Sequence, residues 1–194
     1  MALSIFGKRK QRVKIMEEIK RVKRTLIANG SIIDYYQDTM LLPDGKTAQW
    51  DLIDHKGAAA IVPVLDDGRI IMVRQYRNAL ERYTLEVPAG GLNGREEPMI
   101  EAAKRELTEE TGFVSDDLEL LVSIRTTVAF CNEKIDIFVA KNLKPGKQHL
   151  DDDEYIEYEA YTVDELCAKI YACEIQDSKT ICAILAYKDK YLSK

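Results

Sequence analysis

The chain has 194 residues, 46% of them hydrophobic and 31% charged, with ten Gly and five Pro, the make-up of one globular domain or of one domain with a small appendage. At that length folding buries roughly 70% of the unfolded surface, which excludes a mini-protein stapled by disulfides or by a structural metal. A net charge of −5 argues against a protein that wraps nucleic acid, because neutralising phosphates calls for a basic surface.

The charge is uneven. Residues 1–30 carry Lys8, Arg9, Lys10, Arg12, Lys14, Lys20, Arg21, Lys23 and Arg24 against Glu17 and Glu18, so a basic arm precedes an acidic body. It reads as a solvated helix face or a contact with that body, with a membrane or nucleic-acid contact as the alternative. No run approaches the ~20 apolar residues of a membrane span, and the first residues lack the apolar core of a secretory signal. The expected compartment is the cytoplasm, with no membrane partner. Cys131, Cys167, Cys173 and Cys182 make no C-x-x-C pair and no zinc pattern with His55 and His149, so each reads as a small core hydrophobe.

In chain order, Arg12 to Ala28 predicts a helix, since Val13, Met16, Ile19, Val22 and Leu26 recur at steps of three and four, with Asn29-Gly30 as the stop. Three β-rich runs follow, Ser31–Leu42, Thr47–His55 and Ala58–Leu65, the first two parted by the turn residues Pro43-Asp44-Gly45. Asp66-Asp67-Gly68 predicts a second hairpin turn into Arg69–Tyr76. Thr84–Val87 is a short strand ending at Pro88, and Ala89-Gly90-Gly91 reads as a loop. Pro98 suits the first position of a helix over Met99–Thr111, with Gly112 as its left-handed stop. Leu118–Val128, Lys134–Ala140 and Tyr155–Thr162 predict strands, Leu143–Asp153 a polar loop, and Val163–Ile170 and Ser178–Tyr191 helices. The expected fold is α+β, a mixed sheet with helices packed on it in an α-β-α sandwich. Residues 1–55 would form an N-terminal helix and antiparallel β lobe, and residues 56–194 a second domain.

The helix over Met99–Thr111 carries the chemistry. Glu106 and Glu110 are four apart and Glu109 lies three from Glu106, which puts their carboxylates on one side with Cβ atoms roughly 5–6 Å apart. Like charges that close need solvent, a paired base or a bound cation. Ile100, Ala103, Leu107 and Phe113 would anchor the opposite face. An anchored carboxylate patch beside a Gly-rich loop suits Mg²⁺, a hard ion that takes oxygen ligands.

Gly91, Glu97, Arg105, Glu106, Leu107, Glu109, Glu110, Gly112 and Phe113 satisfy every position of G-x5-E-x7-R-E-U-x-E-E-x-G-U, where U is bulky aliphatic or aromatic. The sequence thereby resembles the Nudix hydrolase family. Arg74-Gln75-Tyr76-Arg77, Leu85-Glu86-Val87-Pro88-Ala89-Gly90, Phe130-Cys131-Asn132-Glu133-Lys134, the acidic loop before Tyr155, the Pro43-Asp44-Gly45-Lys46 hairpin and Asp177-Ser178-Lys179-Thr180 look like its ADP-ribose pyrophosphatase branch. The resemblance implies Mg²⁺-dependent hydrolysis of a nucleoside diphosphate linked to another group, most simply ADP-ribose, with Mn²⁺ as an alternative metal. It implies Glu106 and Glu110 as metal ligands with the Ala89 carbonyl, Glu109 as a ligand or close acceptor with a part in catalysis, and Glu97 as support or a further ligand. Arg105 would orient the carboxylates, and Arg77 and Glu86 would hold the diphosphate and ribose side. Glu154, in the acidic loop, is the candidate general base, and Glu133 is a second candidate for that role or for substrate binding. Trp50 is either ordinary core packing or a platform for the nucleotide base in a homodimer. Val128 stands where the ADP-ribose enzymes commonly carry proline, which keeps GDP-mannose or another sugar nucleotide open as substrate. Readings from other classes are a nucleotide sensor without catalysis and an RNA 5′-end hydrolase.

Overall fold

The computed structural model describes residues 19–150 and 154–193, which fall into two units: residues 19–55 with Thr127–Asn132, and Lys56–Thr126 with residues 133–193. The first unit is an antiparallel meander of β1 (Lys20–Asn29), β2 (Ile33–Leu41) and β3 (Thr47–His55). Its β2–β3 register runs from Ile33 opposite His55 to Leu41 opposite Thr47. The segment Thr127–Asn132 lies along β3, where Phe130 accepts from the Ile53 N–H at 2.7 Å and the Asn132 side chain accepts from the His55 N–H at 2.8 Å.

β1 corrects the sequence reading. Of the helix expected over Arg12–Ala28, residues 12–18 lie outside the described residues, and Lys20–Ala28 is strand. Two irregularities, between Arg21 and Lys23 and between Leu26 and Ala28, insert Val22 and Ile27 as extra residues in the ladder with β2. Each insertion breaks the two-residue alternation of a strand, and the result imitates helical spacing. The basic residues are not simply solvated either. Arg24 forks onto Asp38 at 2.7 and 2.6 Å and lies over the Tyr36 ring, both on the neighbouring strand.

The second unit is a three-layer sandwich. Its mixed sheet has the order β7 (Ala89–Gly91), β4 (Ala58–Pro63), β10 (Lys134–Lys141), β9 (Asp117–Arg125), with β4 and β10 parallel and the other pairs antiparallel. A second sheet runs β12 (Glu157–Tyr161), β5 (Ile70–Arg77), β6 (Arg82–Glu86), and the short β8 (Phe113–Val114) pairs with β11 (Lys144–Pro145). Every residue of β4 is buried, as expected of a strand covered on both faces. Alternation along β4 and β10 then assigns the layers. Ala59, Ile61, Phe138 and Ala140 pack with Ala102, Ala103 and Leu107 of α1 (Met99–Thr111). Ala58, Ala60, Val62, Ile135, Ile137 and Val139 pack with Leu166 and Ile170 of α2 (Val163–Tyr171) and Ala183 and Ile184 of α3 (Ser178–Tyr191). The α-β-α sandwich is therefore the observed architecture.

Smaller differences have local causes. Ala89-Gly90-Gly91 is a short strand rather than a loop, because it pairs with Ala58–Ala60. The strand expected to reach Val128 ends at Arg125, after which residues from Thr127 join the first unit. The expected polar loop contains β11, which pairs with β8. Pro98 caps α1 from one residue outside it. Ile100 is half-exposed while Ala102 takes its place in the core, since the helix turns its small residues to the sheet. None of the four cysteines is in a disulfide; Cys167 is buried and Cys131 half-buried, but Cys173 and Cys182 are exposed. Cys173 sits in the turn after α2 with a positive φ, outside any core layer.

Gly112 ends α1 as expected, at φ 73°, and the loop after β11 closes over that end. A Cβ on Gly112 would lie 2.8 Å from the Gln148 backbone N. The last carbonyls of the helix are satisfied by this loop: Glu110 accepts from the Gln148 side chain at 2.6 Å and Glu109 from the His149 N–H at 3.0 Å. Residues 151–153, between this loop and Glu154, lie outside the described residues.

Candidate active site

The packing of α1 decides where its carboxylates go. With Ala102, Ala103 and Leu107 facing β4 and β10, Glu106 and Glu110 turn to the edge strand β7 and are 7% and 2% exposed. A Cβ on Gly90 would fall 2.2–2.4 Å from the carboxylate atoms of Glu106, so only glycine leaves room for it. Glu110 accepts the Ala89 N–H at 3.1 Å.

Arg105 answers the expected repulsion. Its Nη1 donates to Glu106 at 2.6 Å and Glu109 at 2.8 Å, its Nε to Glu97 at 3.2 Å, and its Nη2 to the Gly91 carbonyl at 2.9 Å. Glu97 also accepts the Asn93 N–H at 2.6 Å, tying the loop before α1 to the cluster. One guanidinium does not balance four carboxylates. Burial pushes the Glu106 carboxyl up to about 7, against the pull of Arg105 and with the charges of Glu109 and Glu154 adding to it. Burial, and then the charge of Glu106, raise Glu110 well above the ordinary carboxyl range. Groups so perturbed mark a site built for a charge not supplied by the chain itself.

The residues fit a divalent cation by chemistry: an all-oxygen donor set, an excess of negative charge, and a backbone cradle at Ala89-Gly90. Among the described residues no three His, Cys, Asp or Glu side chains already converge as a complete ligand set. Arg105 and the Ala89 N–H engage the carboxylates instead.

A second constellation lies at the junction of β5, β6 and α3. Arg77 donates through Nε and Nη2 to Glu86 at 2.8 and 2.6 Å, and Thr84 adds a third bond at 2.6 Å. Lys179 from α3 is hydrogen-bonded to the same carboxylate. Burial by itself would raise Glu86, but Arg77 and Lys179 outweigh it and hold the carboxyl at about 2. A carboxyl depressed below its unfolded value of 4.5 stabilises the fold above that pH, and the contribution fades as pH falls through about 2. The difference is worth about 3 kcal/mol at neutral pH. Glu86→Gln is therefore expected to cost about that much stability near pH 7, and almost nothing near pH 2. Urea unfolding of both proteins across that range checks it; a gap that stays constant with pH refutes the assignment.

Of the other expected site residues, Glu154 is half-buried and lines a cleft of about 530 Å³ with Arg74, Tyr83, Leu150, Tyr155, Ile156 and Glu157. Its charge reaches Glu106 and Glu110. Glu133 is half-buried at the residue before β10. Trp50 belongs to β3 in the first unit and is 47% exposed, so ordinary core packing does not describe it. Lys179 and Thr180 fall in a stretch that looks like the ADP-ribose branch but carry no role from it, although a lysine beside the apolar run Ile181–Leu185 is a visible signal. Gln148 carried no signal at all.

A NUDIX domain model matches residues 54–182, which contain the whole glutamate helix, its glycine cradle and the Arg77–Glu86 pair. The chain belongs to the Nudix family. It is 37% identical over 174 residues to an ADP-ribose pyrophosphatase of Bacillus subtilis (strain 168), a match spanning 89% of this chain and 93% of that protein. A methanol dehydrogenase activator of Bacillus methanolicus is 38% identical over 173 residues, 88% of this chain and 92% of the relative. A crystal structure of an ADP compounds hydrolase superposes with a TM-score of 0.78 at 22% identity, covering 88% of this chain and 92% of that one, and so shares the Nudix fold. The chain is accordingly a Nudix pyrophosphatase, a hydrolase, and the α-β-α sandwich is the Nudix fold. Among the described residues no helix is long and apolar enough to cross a membrane.

Proposed function

We propose that this chain hydrolyses the pyrophosphate bond of a nucleoside diphosphate sugar, with ADP-ribose, cleaved to AMP and ribose 5-phosphate, as its preferred substrate. The observation that carries the reading is the buried pair Glu106 and Glu110 pressed against the side-chain-free Gly90. The substrate class draws support from the Bacillus subtilis relative named ADP-ribose pyrophosphatase. GDP-mannose is the second reading, because Val128 replaces the proline of the ADP-ribose pattern and stands 86% exposed.

Mg²⁺, or Mn²⁺ in its place, would be held by Glu106, Glu110 and the Ala89 carbonyl, with Glu109 and Glu97 as nearby acceptors or further ligands, and when bound it supplies charge neutralisation for the diphosphate and a more acidic water. The chain's own groups do the rest. Arg105 keeps Glu97, Glu106 and Glu109 converging by occupying the space between them. Arg77, fixed edge-on by Glu86, offers its remaining guanidinium nitrogen to a phosphate oxygen. Glu154 is the general base that takes the proton of the attacking water at its carboxylate, and Glu133 is the alternative base. Trp50 stacks on the nucleotide base. A homodimer is proposed because the β1–β3 lobe leaves Val22, Leu26 and Ile27 more than half exposed and Trp50 47% exposed, more apolar surface on one small sheet than a lone chain usually presents. Four cysteines with no disulfide among them fit a reducing compartment, the cytoplasm. Nucleic acid is not among the proposed partners.

The test is turnover of ADP-ribose, GDP-mannose, NADH, diadenosine polyphosphates and 8-oxo-dGTP with Mg²⁺. The expected result is ADP-ribose first by kcat/KM. GDP-mannose ahead of it selects the second reading, and tight nucleotide binding without turnover on any of them overturns the enzymatic proposal.

A further inference from the structure

The N-terminus of α3 is built into the Arg77–Glu86 pair through side chains that the glutamate helix does not use. Asp177 caps α3, accepting the Thr180 N–H at 3.0 Å and the Thr180 hydroxyl at 2.6 Å. The Thr180 oxygen in turn accepts the Val87 N–H at 3.0 Å, in the segment that joins β6 to the Ala89-Gly90 cradle. Lys179 bridges Asp177 at 3.0 Å and Glu86, with its side chain 11% exposed and that of Glu86 2% exposed. Two cations, Arg77 and Lys179, and two carboxylates, Glu86 and Asp177, thus form a closed, nearly neutral set. An ammonium is seldom buried without a task, and here burial is tolerated because both carboxylates face it.

We infer that Lys179 is a positioning residue for substrate binding: it fixes the Glu86 carboxylate so that Arg77 is committed through Nε and Nη2 and turns Nη1 toward the diphosphate. The inference rests on the reading that Arg77 holds the diphosphate. With Lys179 in place, Glu86 is shared between two cations and the set is neutral, so an anion approaching Arg77 meets no net negative charge. Without it the set carries a net negative charge and the Glu86 carboxylate loses a partner that fixes its orientation, so an incoming diphosphate meets a less favourable charge and a misdirected Arg77. Lys179 touches neither the reacting atoms nor the carboxylates of α1, so its loss falls on KM rather than on kcat.

The experiment is a double-mutant cycle on the full chain with ADP-ribose and Mg²⁺, reading KM and kcat separately and checking each variant's folding by its thermal midpoint. Lys179→Met is expected to raise KM about tenfold or more with kcat changed far less. Lys179→Gln, which keeps a hydrogen-bond donor at lower risk to folding, is expected to lie between the two. In an E86Q background the Lys179→Met effect on KM is expected to shrink to about twofold, because the carboxylate it works through is gone. A purely structural lysine would lower the midpoint in both backgrounds and leave KM alone, which overturns the inference. A lysine that contacts substrate directly would keep its full effect in the E86Q background, which overturns it as well. Arg77→Ala separates the premise from the inference. An unchanged KM in that variant refutes the diphosphate role of Arg77, whereas a raised KM there with no effect of Lys179→Met refutes only the positioning role.

Discussion

Glu110→Gln is expected to lower kcat by about a thousandfold or more and, at the same time, to raise the thermal midpoint of the metal-free protein. The two effects share one cause. Glu110 is 2% exposed and faces the charges of Glu106 and Glu154, against which stand the Ala89 N–H and the more weakly felt charge of Arg77. Burial raises its carboxyl above the ordinary 4.5, so as pH climbs past that value the folded chain must hold a proton that the unfolded chain releases, or else bury a charge. Either way stability is lost as pH rises. Gln has nothing to ionise and can still accept the Ala89 N–H, so the variant escapes that cost. It also loses the negative charge that a divalent cation needs. The measurement is the thermal midpoint of both proteins from pH 4.5 to 8 with chelator and with Mg²⁺, beside turnover. The stability advantage of the variant should grow with pH in chelator, and Mg²⁺ should stabilise the wild-type chain alone. Retained activity, or a variant less stable than wild type at pH 8 in chelator, sinks the assignment.

Gly90→Ala is expected to reduce turnover by about a hundredfold or more while the chain still folds. A new Cβ would meet the Glu106 carboxylate at 2.2–2.4 Å, a distance at which something must shift. What shifts is the far end of a flexible side chain, not backbone, so the sandwich survives and Glu106 is driven off its bond to Arg105 Nη1. A paired Gly91→Ala meets no atom closer than 4.0 Å and is the control, expected to fold and to keep its activity within a fewfold. The comparison is made by circular dichroism for folding and by ADP-ribose turnover at saturating Mg²⁺. Equal activity of Gly90→Ala and wild type refutes the cradle.

The amino-acid sequence by itself determined much of the second unit. The bounds of α1 and α3, and the stop at Gly112, follow from helix propensity and a residue tolerant of positive φ, which are local properties. The β-rich run Ala58–Leu65 marked a strand, and the structure buries all of β4. The glutamate pattern named the chemistry because its spacing survives any detail of packing, and the family match agrees with it.

Tertiary structure alone decided three matters. It made Lys20–Asn29 a strand, because two inserted residues gave a bulged strand the spacing of a helix, and only the ladder with β2 shows which hydrogen bonds formed. It set Glu106 and Glu110 inside the protein with carboxyls raised, rather than on a solvated face, because α1 turns its alanines to the sheet and so rotates those two glutamates onto β7. It also joined Lys179 to Glu86, residues far apart in the chain whose meeting depends on how α3 docks, and no local pattern encodes a docking geometry.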